Sequence, residues 1–300
     1  MIRYIQQKNI DRAKYDSCIE QAINSRIYAY SWYLDIVADH WDALVLNDYE
    51  AVMPLPWRQK YFIKYVYPPA WTQQLGVFSK NEIPESLILN FIKSIPKKFK
   101  KITIQFNSAN KFEHKSSTER VNYILPLDKT YEEIYESYRK DRRKRLRGFL
   151  IENITVVDSL DFDELKSVFL TNYEKKIQMN LIDFDSLRNI FHIAKLNGSL
   201  MTKSVSINGK LISGLIAIKA VNRVVILFSA TSDIGMSTNS FSAIIDSVIK
   251  ENSETNSFID FEGSMIPSIA SFNKSFGARI EYYRCLTYNN LPFFIKIFKK

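Results

Sequence analysis

The chain has 300 residues, 46% of them hydrophobic and 14% aromatic, with 8 glycines, 9 prolines and a formal net charge of +9 at pH 7. That size and apolar content allow a large buried core in two domains of ordinary dimensions, and the lack of repeats, low-complexity tracts or a polar tail excludes a fibrous or disordered chain. No window approaches about twenty uninterrupted apolar residues, and Met1-Ile-Arg-Tyr-Ile-Gln-Gln-Lys has no apolar stretch with a small-residue cleavage site, so neither a transmembrane segment nor a secretory leader is expected and the chain reads as cytoplasmic.

In the first half, Ile2 to Ile5 alternates as a strand, Ile10 to Ile23 has a helical period, and Ser31 is placed to cap a short helix through Trp32, Tyr33, Leu34 and Ile36. Strands follow at Trp41–Leu46, Glu50–Pro56 and Tyr61–Val66, the first two joined by a turn at Asn47-Asp48. Tyr67-Pro-Pro-Ala-Trp-Thr-Gln-Gln-Leu-Gly76 is a loop, because adjacent prolines remove two donors and push the residue before them out of the helical region. A helix over Pro84–Ile95 and strands at Ile102–Phe106 and Val121–Leu125 complete this half.

The second half opens with a long helix, Tyr131–Leu150, then a strand at Ile154–Val157. Asp161 and Glu164 form a capping-box pattern ahead of a helix running to about Lys175, and a further helix spans Asp183 to Leu196 and stops at Gly198. The clearest strands are Leu200–Ile207, Leu211–Ile218 and Arg223–Ser229, the first pair joined by Asn208-Gly209, a strong two-residue hairpin signal. After a loop over Thr231–Asn239 come a helix from Ser240 to Lys250, a strand at Phe258–Phe261, a helix over Ile269–Phe276 and a strand from Arg279 to Tyr288; Leu291–Lys300 is expected as an edge strand.

Several classes of chemistry drop out. Cys18 and Cys285 lie far apart, and His40, His114 and His192 are isolated from one another, so a disulfide framework or a metal site is not expected. The charge is uneven: between Arg139 and Arg147 seven bases face one acid, +6 of the total in one helical stretch. Crowded cations repel, and an anionic partner relieves that cost.

The most informative stretch is Ser257 to Gly277, where an alternating run ends at Asp260 and Glu262 and passes into a helix carrying Phe272 and Phe276. It resembles the closing motif of the FemAB-like branch of the acyl-CoA N-acyltransferase (GNAT) superfamily, a strand ending near Asp-Phe-x-Gly followed by a helix and Phe-x-x-x-Phe-Gly. Ser31-Trp-Tyr-Leu-Asp35, Trp41, Val52-Met-Pro54 and Pro68 to Gly76 resemble that group's N-terminal domain, and Arg142-Arg-Lys-Arg-Leu-Arg147 its basic helix. The resemblance covers most of the chain. It implies an α/β (α+β) protein of tandem GNAT-like domains with mixed, mostly antiparallel sheets, residues 1–128 and 129–300, the second carrying the site.

It also implies a reaction: transfer of an acyl or aminoacyl group from acyl-CoA, or alternatively aminoacyl-tRNA, to a primary amine on a small molecule or cell-envelope precursor. Such transfer needs a neutral amine, donors for the carbonyl oxyanion and a site that holds both substrates, and it needs no Ser-His-Asp or Cys-His arrangement. Asp260 and Glu262 project to one face of an ideal strand, where either carboxylate can take the amine's proton. In the family resembled the following helix often reads Phe-Lys-x-x-Phe-Gly with the lysine near the transferred group; here it reads Phe272-Asn273-Lys274-Ser275-Phe276-Gly277, and the candidate, Lys274, falls one residue late.

Where the family binds its donor's phosphates this chain has Ser232-Asp-Ile-Gly-Met-Ser-Thr-Asn-Ser240, so Gly235, Ser237, Thr238, Asn239 and Ser240 are the candidate donor-binding residues. Tyr33, Trp71 and Gln73 are candidates for an acceptor pocket, and Arg142, Arg143 and Arg147 for contacts with an anionic substrate or tRNA. The alternative is a binding protein for nucleic acid or an anionic lipid surface on a degenerate transferase scaffold. Composition is silent on oligomeric state.

Overall fold

In the computed structural model, which describes residues 1–151, 154–173, 183–263 and 265–291, the chain divides into two units, Met1–Arg120 with Tyr282–Lys300, and Val121–Glu281. The sequence expectation placed the division after residue 128 and left the C-terminal segment with the second domain; here Cys285–Asn289 pairs with a strand of the first unit.

The first unit starts with β1 (Ile2–Gln6), α1 (Arg12–Gln21) and α2 (Ser31–Val37), followed by β2 (His40–Leu46), β3 (Ala51–Lys60) and β4 (Ile63–Val66). Then come β5 (Phe78–Ser79), α3 (Glu85–Lys93), β6 (Phe99–Gln105) and β7 (Ser117–Pro126), the last running into the second unit. The strands β1 to β4 are neighbours in chain order and antiparallel, β6 lies parallel to β4, and β5 adds to β3. Helix α3 makes the crossover between β4 and β6 and buries Ile88, Phe91 and Ile92, one stripe of a 3.6-residue period. Ser31 does not cap α2: the cap position is Tyr30, and the Ser31 N–H and hydroxyl both donate to Asp16, at 2.8 and 2.6 Å.

The second unit adds α4 (Tyr131–Glu136), α5 (Lys140–Ile151), α6 (Phe162–Tyr173) and α7 (Phe184–Leu196). These precede the antiparallel meander β8 (Leu200–Ile207), β9 (Lys210–Ala220) and β10 (Arg223–Thr231). After it come α8 (Asp233–Ser237), α9 (Ser240–Asn252), β11 (Phe258–Asp260), α10 (Pro267–Lys274) and β12 (Arg279–Asn289). The strand order is β7-β11-β10-β9-β8, with β11 parallel to β10 and antiparallel to β7. Helix α9 crosses from β10 to β11 and turns Ala243, Ile244, Ile245, Val248 and Ile249 onto Leu215, Ala217, Val224 and Ile259 of the sheet. Each of the fully buried isoleucine and valine side chains contributes about 1.5–3 kcal/mol, so this stripe holds the helix on the sheet.

Three expectations are revised. The helix over Tyr131–Leu150 is two helices, because the chain breaks at Ser137, whose hydroxyl donates to Ile134 O at 2.6 Å, and Arg139 N then donates to Ser275 O at 2.9 Å. The strand at Ile154–Val157 reduces to one bridge between Val157 and Ser204, after which Asp158 turns to pair with Lys203. The loop before α9 contains α8, capped by Ser232, whose hydroxyl accepts from Gly235 N at 3.2 Å. The expected end of α6 near Lys175 and the expected edge strand beyond Leu291 lie outside the described residues.

Candidate active site

Strand β11 pairs with β10 for three residues only, Arg223 with Phe258, Val224 with Ile259 and Val225 with Asp260. β10 continues to Thr231, with a register irregularity between Ile226 and Phe228. Beyond Val225 it therefore turns an edge without a ladder partner from β11 toward the space where the two chains part. That space is a cavity of about 350 Å³, in the size range of small-ligand sites. Ile226, Ser229 and Thr231 line it from β10, Phe241 from α9, and Phe272 and Asn273 from α10. Phe241 and Phe272 are stacked with ring centroids 5.5 Å apart. The space between the meander and the strand leading to Glu262 is thus open.

The local cause of the divergence is Asp260. It is 0% exposed, its Oδ2 accepts from Arg223 Nη1 at 2.7 Å, and its Oδ1 accepts from Asn122 Nδ2 at 2.9 Å and from the backbone N–H of Glu262 at 3.0 Å. Arg223 also donates to both carboxylate oxygens of Glu281, at 2.6 and 3.2 Å. Burial works against the Arg223 charge, but Asp260 and Glu281 outweigh it, and the guanidinium pKa lies above its ordinary value. Asp260 is therefore the buried anchor of a strand end and does not line the slot.

Glu262 is half-buried and takes φ +54°, followed by Gly263 at φ +63°. A non-glycine residue in the left-handed region breaks the two-residue alternation of a strand, so the expected common face of Asp260 and Glu262 is not formed, and Glu262 does not line the slot either. Lys274 is exposed, with its ammonium 5.6 Å from the centre of the Tyr123 ring, and is likewise not among the lining residues. The three residues expected to carry the chemistry are therefore not among those that line the slot. The lining offers hydroxyls, one amide and aromatic rings, and among the described residues no carboxylate, imidazole or ammonium.

The basic helix divides by burial. Arg142 is 4% exposed; its Nε donates to Ser275 Oγ at 2.9 Å, its Nη1 donates to Ser242 Oγ, and its guanidinium lies 4.5 and 4.7 Å from the centres of Phe272 and Phe276. It is buried without a salt bridge among the described residues, and burial together with the nearby Arg145 pushes its pKa down to about 10. Arg143 is half-buried and Arg147 exposed. Arg139 is paired with Asp141 at 2.9 Å.

The five candidate donor-binding residues are largely committed to their own backbone. A Cβ on Gly235 would lie 2.4 Å from Ile212 O and 2.9 Å from Ser240 Oγ, so this glycine permits α8 to pack on β9 and does not cradle a phosphate. The Ser237 hydroxyl donates to Ile234 O at 2.9 Å, that of Thr238 to Ile234 O at 3.0 Å, and that of the fully buried Ser240 to Gly235 O at 3.0 Å. Asn239 holds the cap position of α9 at φ +60° with no side-chain capping bond.

The acceptor candidates belong to the first unit. Tyr33 is 0% exposed and its hydroxyl donates to Trp71 O, so these two form one packed contact, with Trp71 at φ +59°. Gln73 lines a cleft of about 10 Å³, room for roughly one water. A packed tyrosine and a cleft of that size do not form an acceptor pocket within this unit.

Sequence reasoning passed over Asn273, which lines the slot at 3% exposure. A signal was present: Asn273 occupies the place at which the resembled Phe-Lys-x-x-Phe-Gly pattern has its lysine. It also missed Arg142 as a structural clamp, because Ser242 and Ser275 are a hundred residues or more away in sequence.

Among the described residues no helix is long and apolar enough to cross a membrane. No protein-family model matches the sequence, and no curated protein matches it. Solved structures do match. FemX aligns with a TM-score of 0.70 at 13% identity, over 94% of this chain and 96% of that one. A conserved protein of unknown function from Bacteroides thetaiotaomicron aligns with a TM-score of 0.59 at 12% identity, over 95% and 99%. L-PGS from Bacillus licheniformis aligns with a TM-score of 0.55 at 11% identity, over 96% and 95%. The chain thus has a mixed α/β fold similar to those of FemX and L-PGS along nearly its whole length.

Proposed function

We propose that the protein transfers an acyl or aminoacyl group from an activated ester to a primary amine in the slot between β10 and β11. The observation that carries this is the parting of those strands after Val225 and Asp260, which leaves a cavity of about 350 Å³ beside an unladdered strand edge. Peptide groups on such an edge can bind an extended acyl chain and place its carbonyl, while the stacked Phe241 and Phe272 exclude water around it. Holding both reactants in one geometry supplies much of the catalysis that amide formation needs. Among the described residues no base lines the slot, so the amine enters neutral or sheds its proton to the leaving group.

Of the two donors considered, aminoacyl-tRNA fits the residues better than acyl-CoA. The loop before α9 keeps its hydroxyls on its own backbone and its single glycine against β9, which leaves little to grip a diphosphate. The exposed bases of α5, Lys140, Lys144, Arg145 and Arg147, suit a polyanion. The acceptor is an amine on a small anionic molecule or a cell-envelope precursor, and the reaction belongs in the cytoplasm, where both donors are made.

The test is a transfer assay with aminoacyl-tRNAs, acetyl-CoA and longer acyl-CoAs, read alongside donor-induced thermal shifts. Saturable transfer from one donor class is expected, and Ser229→Trp, which fills the slot from the half-buried lining position on β10, should abolish it while the fold persists. RNA or anionic-vesicle binding that falls steeply with salt, with no transfer from any donor, would replace this reading with a binding protein.

A further inference from the structure

Within the slot wall, Asn273 carries a buried donor with nothing to bond. It is 3% exposed, and its Nδ2 is buried with no acceptor. Other buried polar atoms without partners belong mostly to side chains that bond through a different atom, as Arg223, Asn122 and Arg26 do, and none of those lines the slot. A buried donor left unpaired is costly, and such a group persists where a ligand completes it.

We infer that the Asn273 amide is the donor that holds the carbonyl oxygen of the transferred group, and that the slot accepts a neutral carbonyl, ester or amide, in preference to a carboxylate. This rests on the transfer reaction proposed above. The buried cation in contact with this wall, Arg142, is committed to two serine hydroxyls and two rings, and among the described residues no cation lines the cavity. An uncharged donor in an apolar slot favours a carbonyl whose negative charge develops only during reaction.

The position is rigid. Asn273 sits on α10 between Phe272 and the Ser275–Phe276 pair that Arg142 grips, and across the slot runs the free edge of β10, whose N–H groups supply a second donor. As the amine nitrogen forms the new C–N bond, the carbonyl π pair moves onto oxygen, where Asn273 meets it. Collapse returns that pair to the carbonyl and expels the alkoxide or thiolate, which takes the proton the amine gives up.

Asn273→Leu removes the donor at nearly constant volume. With the donor that the wild-type protein uses, kcat is expected to fall by about a hundredfold, the size of effect seen when one oxyanion donor is deleted, with KM little changed. The melting temperature is expected to hold or rise, because an unpaired buried donor has been removed. Independently of turnover, the 15N side-chain amide resonance of Asn273 in the full chain, assigned by its disappearance in Asn273→Ser, is expected to shift downfield on titration with Nα-acetyl-lysine amide.

Turnover retained by Asn273→Leu, or an amide resonance unmoved at tens of millimolar probe, overturns the inference and leaves the transferase reading standing. A resonance that shifts in a protein that transfers nothing from any donor keeps the carbonyl subsite and removes the transferase reading. Should the leucine variant fail to fold, the wild-type titration decides alone.

Discussion

Both units of the chain use one plan, and they differ in whether the gap beside the parallel strand pair stays open. Each has an antiparallel three-stranded meander followed by a crossover helix and a strand parallel to the meander's third: β2-β3-β4, α3 and β6 in the first, β8-β9-β10, α9 and β11 in the second. In the second, the parallel pair parts after three residues and the gap holds about 350 Å³. In the first, the corresponding gap beyond Val66 is filled by the proline-rich segment Tyr67–Gly76, which returns to bridge Leu75 with Phe106 and leaves about 10 Å³. The plug is tied down by Leu75 N to Gln105 O and Asn107 N to Leu75 O, both 2.7 Å, and by Asn24 and Asn110, whose amides donate to Val77 O at 2.8 and 2.9 Å. The topology thus creates a slot and the connecting chain decides whether it stays open.

The comparison can be broken most severely at the strand end that opens the second slot. Asp260→Ala leaves Arg223 buried with one carboxylate fewer and frees the Glu262 N–H; a loss of about 3–5 kcal/mol is expected in urea unfolding, far more than a catalytic base at a surface would cost. Retention of full stability would return Asp260 to the list of candidate bases. In the first unit the plug is tested at Gly76, which sits at φ +96° with a virtual Cβ 2.3 Å from Asn110 Oδ1 and 2.7 Å from Phe106 Cδ1. Gly76→Ala should cost about 1–3 kcal/mol through that backbone strain, with transfer per folded molecule unchanged.

The smallest effect concerns how α9 is held over the second sheet. Glu251 pairs with Lys203 at 2.6 Å and Lys219 at 3.1 Å. Burial alone would raise its pKa, but the two lysines outweigh that and hold it below the ordinary 4.5. A carboxylate with a depressed folded pKa adds stability that is complete above the unfolded value and is lost as pH falls through the folded one. The melting temperature should therefore decline below about pH 4.5 with a slope that Glu251→Gln reduces, and an unchanged acid limb would remove Glu251 from the account.

The order of elements was legible because hydrophobic period, caps and the Asn-Gly hairpin act over a few residues, and the resemblance to FemAB-like proteins rested on that order. What local signals do not reach are partnerships across the chain: Asp260 looks like a surface acid until Arg223 and Glu281 are beside it, and Tyr131–Leu150 looks like one helix until Ser275 draws Arg139 out of it. Glu262 misled for a different reason, since its left-handed backbone cancels the alternation from which its direction was inferred.

Arg142 gives the open slot a mechanical property. One guanidinium grips Ser242 on α9 and Ser275 at the end of α10, the helices that carry the facing rings Phe241 and Phe272. To spread those helices for a bulkier guest, the protein would have to strip a buried cation of both hydroxyl partners at once. The slot therefore behaves as a gauge of fixed bore: it sorts guests by cross-section at the reacting carbonyl, and leaves whatever lies farther along the molecule to be sorted outside.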